Sequence, residues 1–291
     1  MSRFLLAVAF VAAAIAQERP PITGVAHIAL KVKDLNAARA FYGKYLGYGE
    51  IGAAGGQSEA AVFRVSSRQY VEVTPELKSE TEDRLSHIAF VTSDVDRMRA
   101  YLKAKGLASQ EARCRVPRGK AIEIQDADGH CVQFVEYAGD EVTKEAPITP
   151  GISPHIGHVG FTVSDREAAD RLYRDILGLH EVWHGGMTDD GPTNWVAMRV
   201  PNGMDHLEYM LNVHNPSPRT LGVMNHLCLV VESVDASYQR LLKRERHISD
   251  PPKIGRDGKW QLNLYDDDLT RTELMEPKAV RKPCCAPYLE N

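Results

Sequence analysis

The chain matches itself, and that repetition limits its fold more than any other feature. Residues 25 to 50, VAHIALKVKDLNAARAFYGKYLGYGE, lie on residues 156 to 181, IGHVGFTVSDREAADRLYRDILGLHE, without a gap and at a constant offset of 131. A histidine, an aspartate, an Ala-Ala pair, a tyrosine and a Leu-Gly pair all coincide. Two weaker copies follow, LSHIAFVTSDVDRMRAYLKAKG from Leu85 and MNHLCLVVESVDASYQRLLKR from Met224. The architecture must therefore be assembled from a motif about half a domain in size.

Each copy reads as a strand running into a helix. Asp34, Asp94, Asp165 and Ser233 each follow the copy's histidine by seven residues, where a short oxygen side chain caps the first free backbone N–H groups. Apolar residues then recur at helical spacing, as in Ala38, Phe41, Tyr45 and Ala169, Leu172, Ile176, and Gly47, Gly106 and Gly178 supply stops. Short alternating segments complete each unit: AAVFRV, QYVEV, KAIEIQD and HCVQFVEY in the first half, WVAMRV, DHLEYML, WQLNLYD and RTELME in the second. The expected fold is α+β, four βαβββ units divided two and two by an aperiodic, proline-bearing linker at 140–153. Domain one is expected at 22–139, domain two at 154–278, and a polar, mobile tail carrying Cys284 and Cys285 at 279–291.

Residues 1–16 combine Arg3, an apolar run from Phe4 to Ala16 and the triplet Ala14-Ile15-Ala16, the pattern of a secretory signal peptide cut after Ala16. Thirteen apolar residues fall short of the roughly 20 that span a bilayer. The expected location is periplasmic or secreted, with no membrane attachment after cleavage. A net charge of -4 without charged blocks gives no reason to expect nucleic acid as a partner, and points to a small-molecule substrate. Five cysteines show no disulfide framework; Cys114 with Cys131 is the one pairing the spacing suggests. Monomer and homodimer both remain open.

Alternation places the opening histidines His27, His87, His158 and His226 on the strand face opposite the bulky residues, each beside a small neighbour: Ala29, Ala89, Gly160 and Cys228. Lone strand histidines are usually structural, but four at one repeat position, each beside a cleared patch, suggest a common task. Carboxylates supply a separate signal: Glu72 and Glu208 fall in the last strands of the first and third units, and Gln133 and Glu273 in those of the second and fourth. Two imidazoles and two carboxylates from separated strands suit an octahedral divalent ion such as Zn, Ni, Co, Mn or Fe. Of the other polar groups, His206 shares a face with Glu208, His214 follows the same strand, and Arg64 and Arg199 stand at matching places before Glu72 and Glu208. These four are candidates to support the site from behind or to hold a substrate carboxylate. Trp183, Trp195 and Tyr209 are expected to fill core or interface.

The βαβββ units, their opening histidines and the glutamates of their closing strands resemble the vicinal oxygen chelate superfamily, which includes glyoxalase I, methylmalonyl-CoA epimerase and the extradiol ring-cleaving dioxygenases. The resemblance covers nearly the whole chain after the leader. It implies two tandem half-open barrels, each built from two units, with a metal on the concave side taking two ligands from each unit. Carried over by position, domain two offers His158, Glu208, His226 and Glu273, the complete set of the bacterial glyoxalase and epimerase pattern. Domain one offers His27, Glu72, His87 and Gln133, in which a neutral amide replaces one carboxylate and leaves a second ion open. The family also builds barrels from units of different domains, but the long linker favours pairing of consecutive units. On this resemblance the expected activity is a glyoxalase-like isomerase or lyase, acting on a substrate with adjacent oxygens through a metal-stabilised enediolate, with Glu273 or Glu208 as general base. One alternative is an Fe(II) extradiol dioxygenase using His158, His226 and Glu273, from which Glu208 departs as a fourth charged ligand. The other is a metal-free ligand-sequestering protein of the bleomycin-resistance type.

Overall fold

The computed structural model describes residues 18–51, 60–113, 119–139, 151–244 and 246–289. The leader at 1–16, Cys114 and most of the linker lie outside them. The first half of the chain forms β1 (Ile22–Lys31), α1 (Leu35–Ala38, wound on as π-helix over Arg39–Tyr45), β2 (Gly49–Ile51), β3 (Ala61–Arg64), β4 (Tyr70–Thr74), β5 (Leu85–Thr92), α2 (Val95–Ala104), β6 (Gln110–Glu111), β7 (Gly119–Gln125) and β8 (Cys131–Tyr137). The second half forms β9 (Ile156–Thr162), α3 (Arg166–Asp170, wound on as π-helix over Arg171–Ile176), β10 (His180–Gly186), β11 (Thr193–Arg199), β12 (His206–Met210), α4 (Pro218–Met224), β13 (His226–Val230), α5 (Val234–Leu242), β14 (Lys253–Ile254), β15 (Lys259–Tyr265) and β16 (Arg271–Ala279). None of the described helices is long and apolar enough to cross a membrane.

The four capping residues do what their chemistry suggests. Asp34 accepts from Asn36 N, Asp94 from Arg97 N, Asp165 from Glu167 N and Ala168 N, and Ser233 from Ala236 N. Gly47, Gly106 and Gly178 end their helices at φ of +87°, +80° and +76°, a conformation that side chains rarely adopt.

Each half is one eight-stranded mixed sheet, in the orders β2-β3-β4-β1-β5-β8-β7-β6 and β10-β11-β12-β9-β13-β16-β15-β14. Consecutive units therefore share a sheet, as the linker suggested. Within a unit the opening and closing strands are parallel; between units the two opening strands meet antiparallel. Large apolar residues from both halves, among them Phe41, Phe90, Phe134, Phe161 and Tyr209, make one continuous core beneath the sheets. The opposite face carries the histidines with smaller apolar clusters around them, among them Tyr70, Ala89 and Val135 in the first half and Val182, Trp183 and Ala197 in the second.

The halves are clasped by reciprocal contacts that the repeat explains. Tyr42 of α1's π-helical stretch donates to Asp266 Oδ2 at 3.1 Å, and its counterpart Tyr173 donates to Asp126 Oδ2 at 2.9 Å. Lys33 N donates to Asp268 and Ser164 N to Asp128 in the same exchange. Asp266 thus shapes its own turn, accepting from Asp268 N and Thr270 N, and receives the tyrosine of the other half. Ahead of β4 and β12, Gln69 Oε1 accepts from Ile156 N and Asp205 Oδ2 from Val25 N, tying β1 and β9 together. Burial pushes the Asp266 carboxyl up to about 6, so its donors are the compensation for enclosing it. Tyr42→Phe removes one of them, and urea unfolding is expected to show a loss of about 1–3 kcal/mol; a variant as stable as the parent would remove this pair from the clasp.

Candidate metal centre

The strand pairings bring the predicted residues of domain two together. His226 on β13 faces Gly160 on β9, and Cys228 faces His158. On the outer sides, Glu208 of β12 pairs with Gly160 and Glu273 of β16 pairs with Cys228. Each small residue is therefore flanked by a carboxylate of its own unit and a histidine of the neighbouring one. The cleared patch beside each histidine is room for the other imidazole: a Cβ built on Gly160 would meet His226 Cε1 at 1.9 Å.

The donor atoms converge. His158 Nε2 lies 3.3 Å from His226 Nε2, 3.3 Å from Glu273 Oε2 and 4.0 Å from Glu208 Oε2. His226 Nε2 lies 3.4 Å from Glu208 Oε2 and 3.7 Å from Glu273 Oε2. Ligand atoms about 2.1 Å from one ion stand roughly 3.0 Å apart at right angles and at most about 4.2 Å apart when opposed, so all five separations fit one coordination shell. Both histidines and Glu273 are buried and Glu208 nearly so.

Electrostatics fit the same reading. Burial alone would push Glu208 and Glu273 up, but hydrogen bonding to His226 and His158 respectively, with the charges grouped around them, holds both below the usual carboxylate range. Burial, then Arg271, pushes His226 down, so its imidazole is neutral. His226 Nδ1 lies 3.0 Å from the Met224 carbonyl, so an ion that took Nε2 in place of the Glu208 hydrogen bond would leave the ring proton held on Nδ1. That carbonyl ends α4, a helix not expected from the repeat, whose last carbonyls lack helical partners. His158 Nδ1 has no partner among the described residues. Cys228 adjoins His158 and Glu273, but burial and then the Glu273 charge push its thiol well up, which makes it a poor ligand beside two carboxylates.

Domain one repeats the pattern with changes. His27, Glu72 and His87 bring their donor atoms within 4.8 Å of one another, and the two Nε2 atoms lie 2.8 Å apart. Ala29 stands where domain two has Gly160, and Gln133 where it has Glu273. Gln133 instead donates to Glu123 on β7 at 3.3 Å, its Oε1 buried without a partner among the described residues. Glu123 also accepts from Arg113 and Gln110. Domain one thus keeps three ionisable donors and moves its other carboxylate one strand outward.

The supporting residues divide. His206 packs on His158 with ring centroids 4.5 Å apart, as Tyr70 stacks on His27 at 4.3 Å; burial and then His158 hold it well below its ordinary pKa, so it supports as a neutral ring. Arg199 pairs in register with His206, and Arg64 with Tyr70. Arg64 is buried and donates to the Ser66 carbonyl rather than standing open to substrate. His214 is not on the strand: β12 stops at Met210 and His214 sits exposed in the following loop. Tyr209 is core, but Trp183 and Trp195 are not simply filling, because they line a cavity of about 270 Å³ together with Glu208 and Glu273. Arg271 and Asp257 line it too, and neither was picked out in the sequence. Arg271 was findable, being two residues before Glu273 and so on its face. The tail expected to be mobile instead packs on domain two: Leu289 N donates to Val182 O at 2.8 Å, and Tyr288 stacks on Trp183. Cys131 Sγ donates to Glu123 at 3.4 Å, and its suggested partner Cys114 lies outside the described residues.

Comparison with known proteins decides the family. The model of the glyoxalase/bleomycin resistance protein/dioxygenase superfamily matches residues 24–134 and again 155–274. The chain belongs to that superfamily. Within it, an ethylmalonyl-CoA/methylmalonyl-CoA epimerase of Cereibacter sphaeroides is 33% identical over 124 residues, 39% of this chain and 90% of that protein. The mitochondrial methylmalonyl-CoA epimerase of Mus musculus is 30% identical over 121 residues, 39% of this chain and 66% of the mouse protein. Among solved superfamily structures, a 2,3-dioxygenase of Pseudomonas sp. KL28 superposes with a TM-score of 0.70 at 15% identity, covering 91% of this chain and 97% of its own. The Mn(II)-bound glyoxalase of Novosphingobium aromaticivorans superposes at 0.66 with 19% identity, covering 88% and 83%. At such identities these structures share the fold.

Two outcomes follow from this geometry. Gly160→Ala is expected to displace the buried His226 ring and weaken divalent-metal binding at least about tenfold; unchanged affinity in a metal titration would contradict the packing. Burial holds His87 down to about 4, so the unfolded chain takes up a proton near pH 6.5 that the folded chain refuses until then. Its contribution to stability is complete above pH 6.5 and falls away as pH drops toward 4, about 2 kcal/mol of it between pH 7 and pH 5. His87→Asn should reduce the acid loss measured by urea unfolding by that amount, and an identical acid loss would contradict the assignment.

Proposed function

We propose that the protein is an exported, divalent-metal-dependent isomerase or lyase of the glyoxalase and epimerase kind, whose centre is the domain-two cluster His158, Glu208, His226 and Glu273. The observation that carries this reading is the convergence of four donors from four strands, with the two imidazoles 3.3 Å apart and each 3.3 to 4.0 Å from both carboxylates. A bound ion there would supply Lewis acidity to a carbonyl oxygen. The Met224 carbonyl would keep the ring proton of His226 on Nδ1 and so leave Nε2 as the ligand atom, while packing against His206 orients the His158 ring toward the centre. Glu208 is the better placed base, since it is the more open of the two carboxylates, lines the cavity and is held ionised. It would take the proton from the carbon next to the polarised carbonyl and return it to the neighbouring carbon for an isomerase; for an epimerase the proton delivered to the opposite face would have to come from a second group, for which Glu273 is the available carboxyl.

Four protein donors favour proton transfer over dioxygen chemistry, because an octahedral ion then keeps two positions, enough for adjacent oxygens of one substrate. Export rests on the leader pattern at 1–16 and argues against coenzyme A thioesters as substrates, whatever the names of the relatives. The family reading also allows a second ion at His27, Glu72, His87 and Gln133, held more weakly for want of the fourth charge.

Elemental analysis of the purified chain is the test. Zinc, nickel, cobalt or manganese near one equivalent, lost in Glu273→Gln and retained in Gln133→Ala, is the expected result. Iron with catechol-dependent oxygen uptake would transfer the protein to the dioxygenases, and no bound metal at all would leave a ligand-sequestering module.

A further inference from the structure

The cavity beside the cluster carries a group that the four ligands do not explain. Arg271, half-buried on β16, has no ion pair among the described residues, although Glu273 is two positions along its strand. Its Nη2 lies 2.7 Å from His226 Nε2 and 2.9 Å from Nδ1, and its Nε is buried with no partner among the described residues. Nε and Nη2 form one edge of the planar guanidinium, the edge that grips a carboxylate through two parallel hydrogen bonds. A buried, unpaired donor of this kind is costly to keep, which points to a partner it is kept for.

The metal reading and this contact compete for one nitrogen. An ion bound at His226 Nε2 would use the lone pair that Nη2 approaches, and a guanidinium that close to a divalent charge is strongly repelled. A guanidinium displaced from His226 would face the cavity it already lines. The surroundings suit an anion. Three cationic side chains, Lys253, Arg256 and Arg271, face three carboxylates, Glu208, Asp257 and Glu273, so a divalent ion tips the wall positive. Setting aside Arg256, whose charge is taken up by Asp189, the wall still carries a net positive charge. Trp183 and Trp195 line the same space, and Trp183 Nε1 is another buried donor without a partner among the described residues.

We propose that Arg271 is the substrate-carboxylate anchor of domain two, and that the substrate is a small carboxylic acid with adjacent oxygens, such as a 2-oxo acid, carrying a flat apolar group against the tryptophans. This rests on the metal reading, and it narrows the substrate class that reading leaves open.

The test uses the full chain with its copurified metal and follows tryptophan fluorescence. Phenylglyoxylate is the anionic probe, and 1-phenylpropane-1,2-dione, which keeps the adjacent oxygens and the ring without the charge, is the neutral one. The parent should bind phenylglyoxylate at least about tenfold more tightly than the dione, the scale of one charge-assisted hydrogen bond. Arg271→Gln should abolish that preference while leaving dione binding and metal content unchanged, and Arg271→Lys should restore it only in part. The assignment is overturned if the parent shows no preference for the anion or fails to bind it. It is also overturned if Arg271→Gln keeps the preference, or if it loses metal along with the carboxylate, since the guanidinium would then serve the ion. Metal content is read separately, so loss of the metal site itself would be recognised as failure of the broader reading.

Discussion

Everything at the centre depends on the antiparallel meeting of two opening strands. Because β9 and β13 run in opposite directions, His158 and His226 land diagonally rather than side by side, and each ring lies over the small residue opposite. The parallel closing strands then set a carboxylate beyond each small residue. No loop is needed to gather the four donors; strand register alone does it, with precision that loops do not match. Gly160 is the tightest point of the arrangement, since no larger residue fits beneath the His226 ring as it stands.

Duplication gave the chain two such crossings, and they have diverged. Domain one has Ala29 at the crossing with its imidazoles 2.8 Å apart, and its other carboxylate is Glu123 on the neighbouring strand, where hydrogen bonds from Arg113 and Gln110 outweigh burial and hold it down to about 2. Domain two kept both glutamates at the crossing and acquired Arg271 where domain one has Cys131. The clasp between the halves stayed symmetric, each helix reaching the acidic turn of the other half. Symmetry was retained where the halves hold each other and lost where they meet ligands.

The repeat made most of the fold legible. It exposes strand periodicity, capping residues and unit order, and these are local properties that survive duplication. The histidines and carboxylates were legible for the same reason, since a face of a strand can be read by alternation. What the small neighbours are for was not legible, because the ring that fills the space comes from a strand 66 residues or more away in domain two. The docking of the tail and the cavity wall that the two tryptophans make were not legible on similar grounds: what Tyr288 and Trp183 pack against is decided by tertiary contacts that leave no period. α4 arose outside the repeat, so nothing within it announced the carbonyl that orients His226.

X-ray absorption at the edge of the bound metal examines the centre most directly. The account requires a first shell of nitrogen and oxygen near 2.1 Å with the outer-ring scattering of two imidazoles. Sulfur near 2.3 Å, from Cys228 or from the Cys284 and Cys285 pair, or the absence of imidazole scattering, would contradict it.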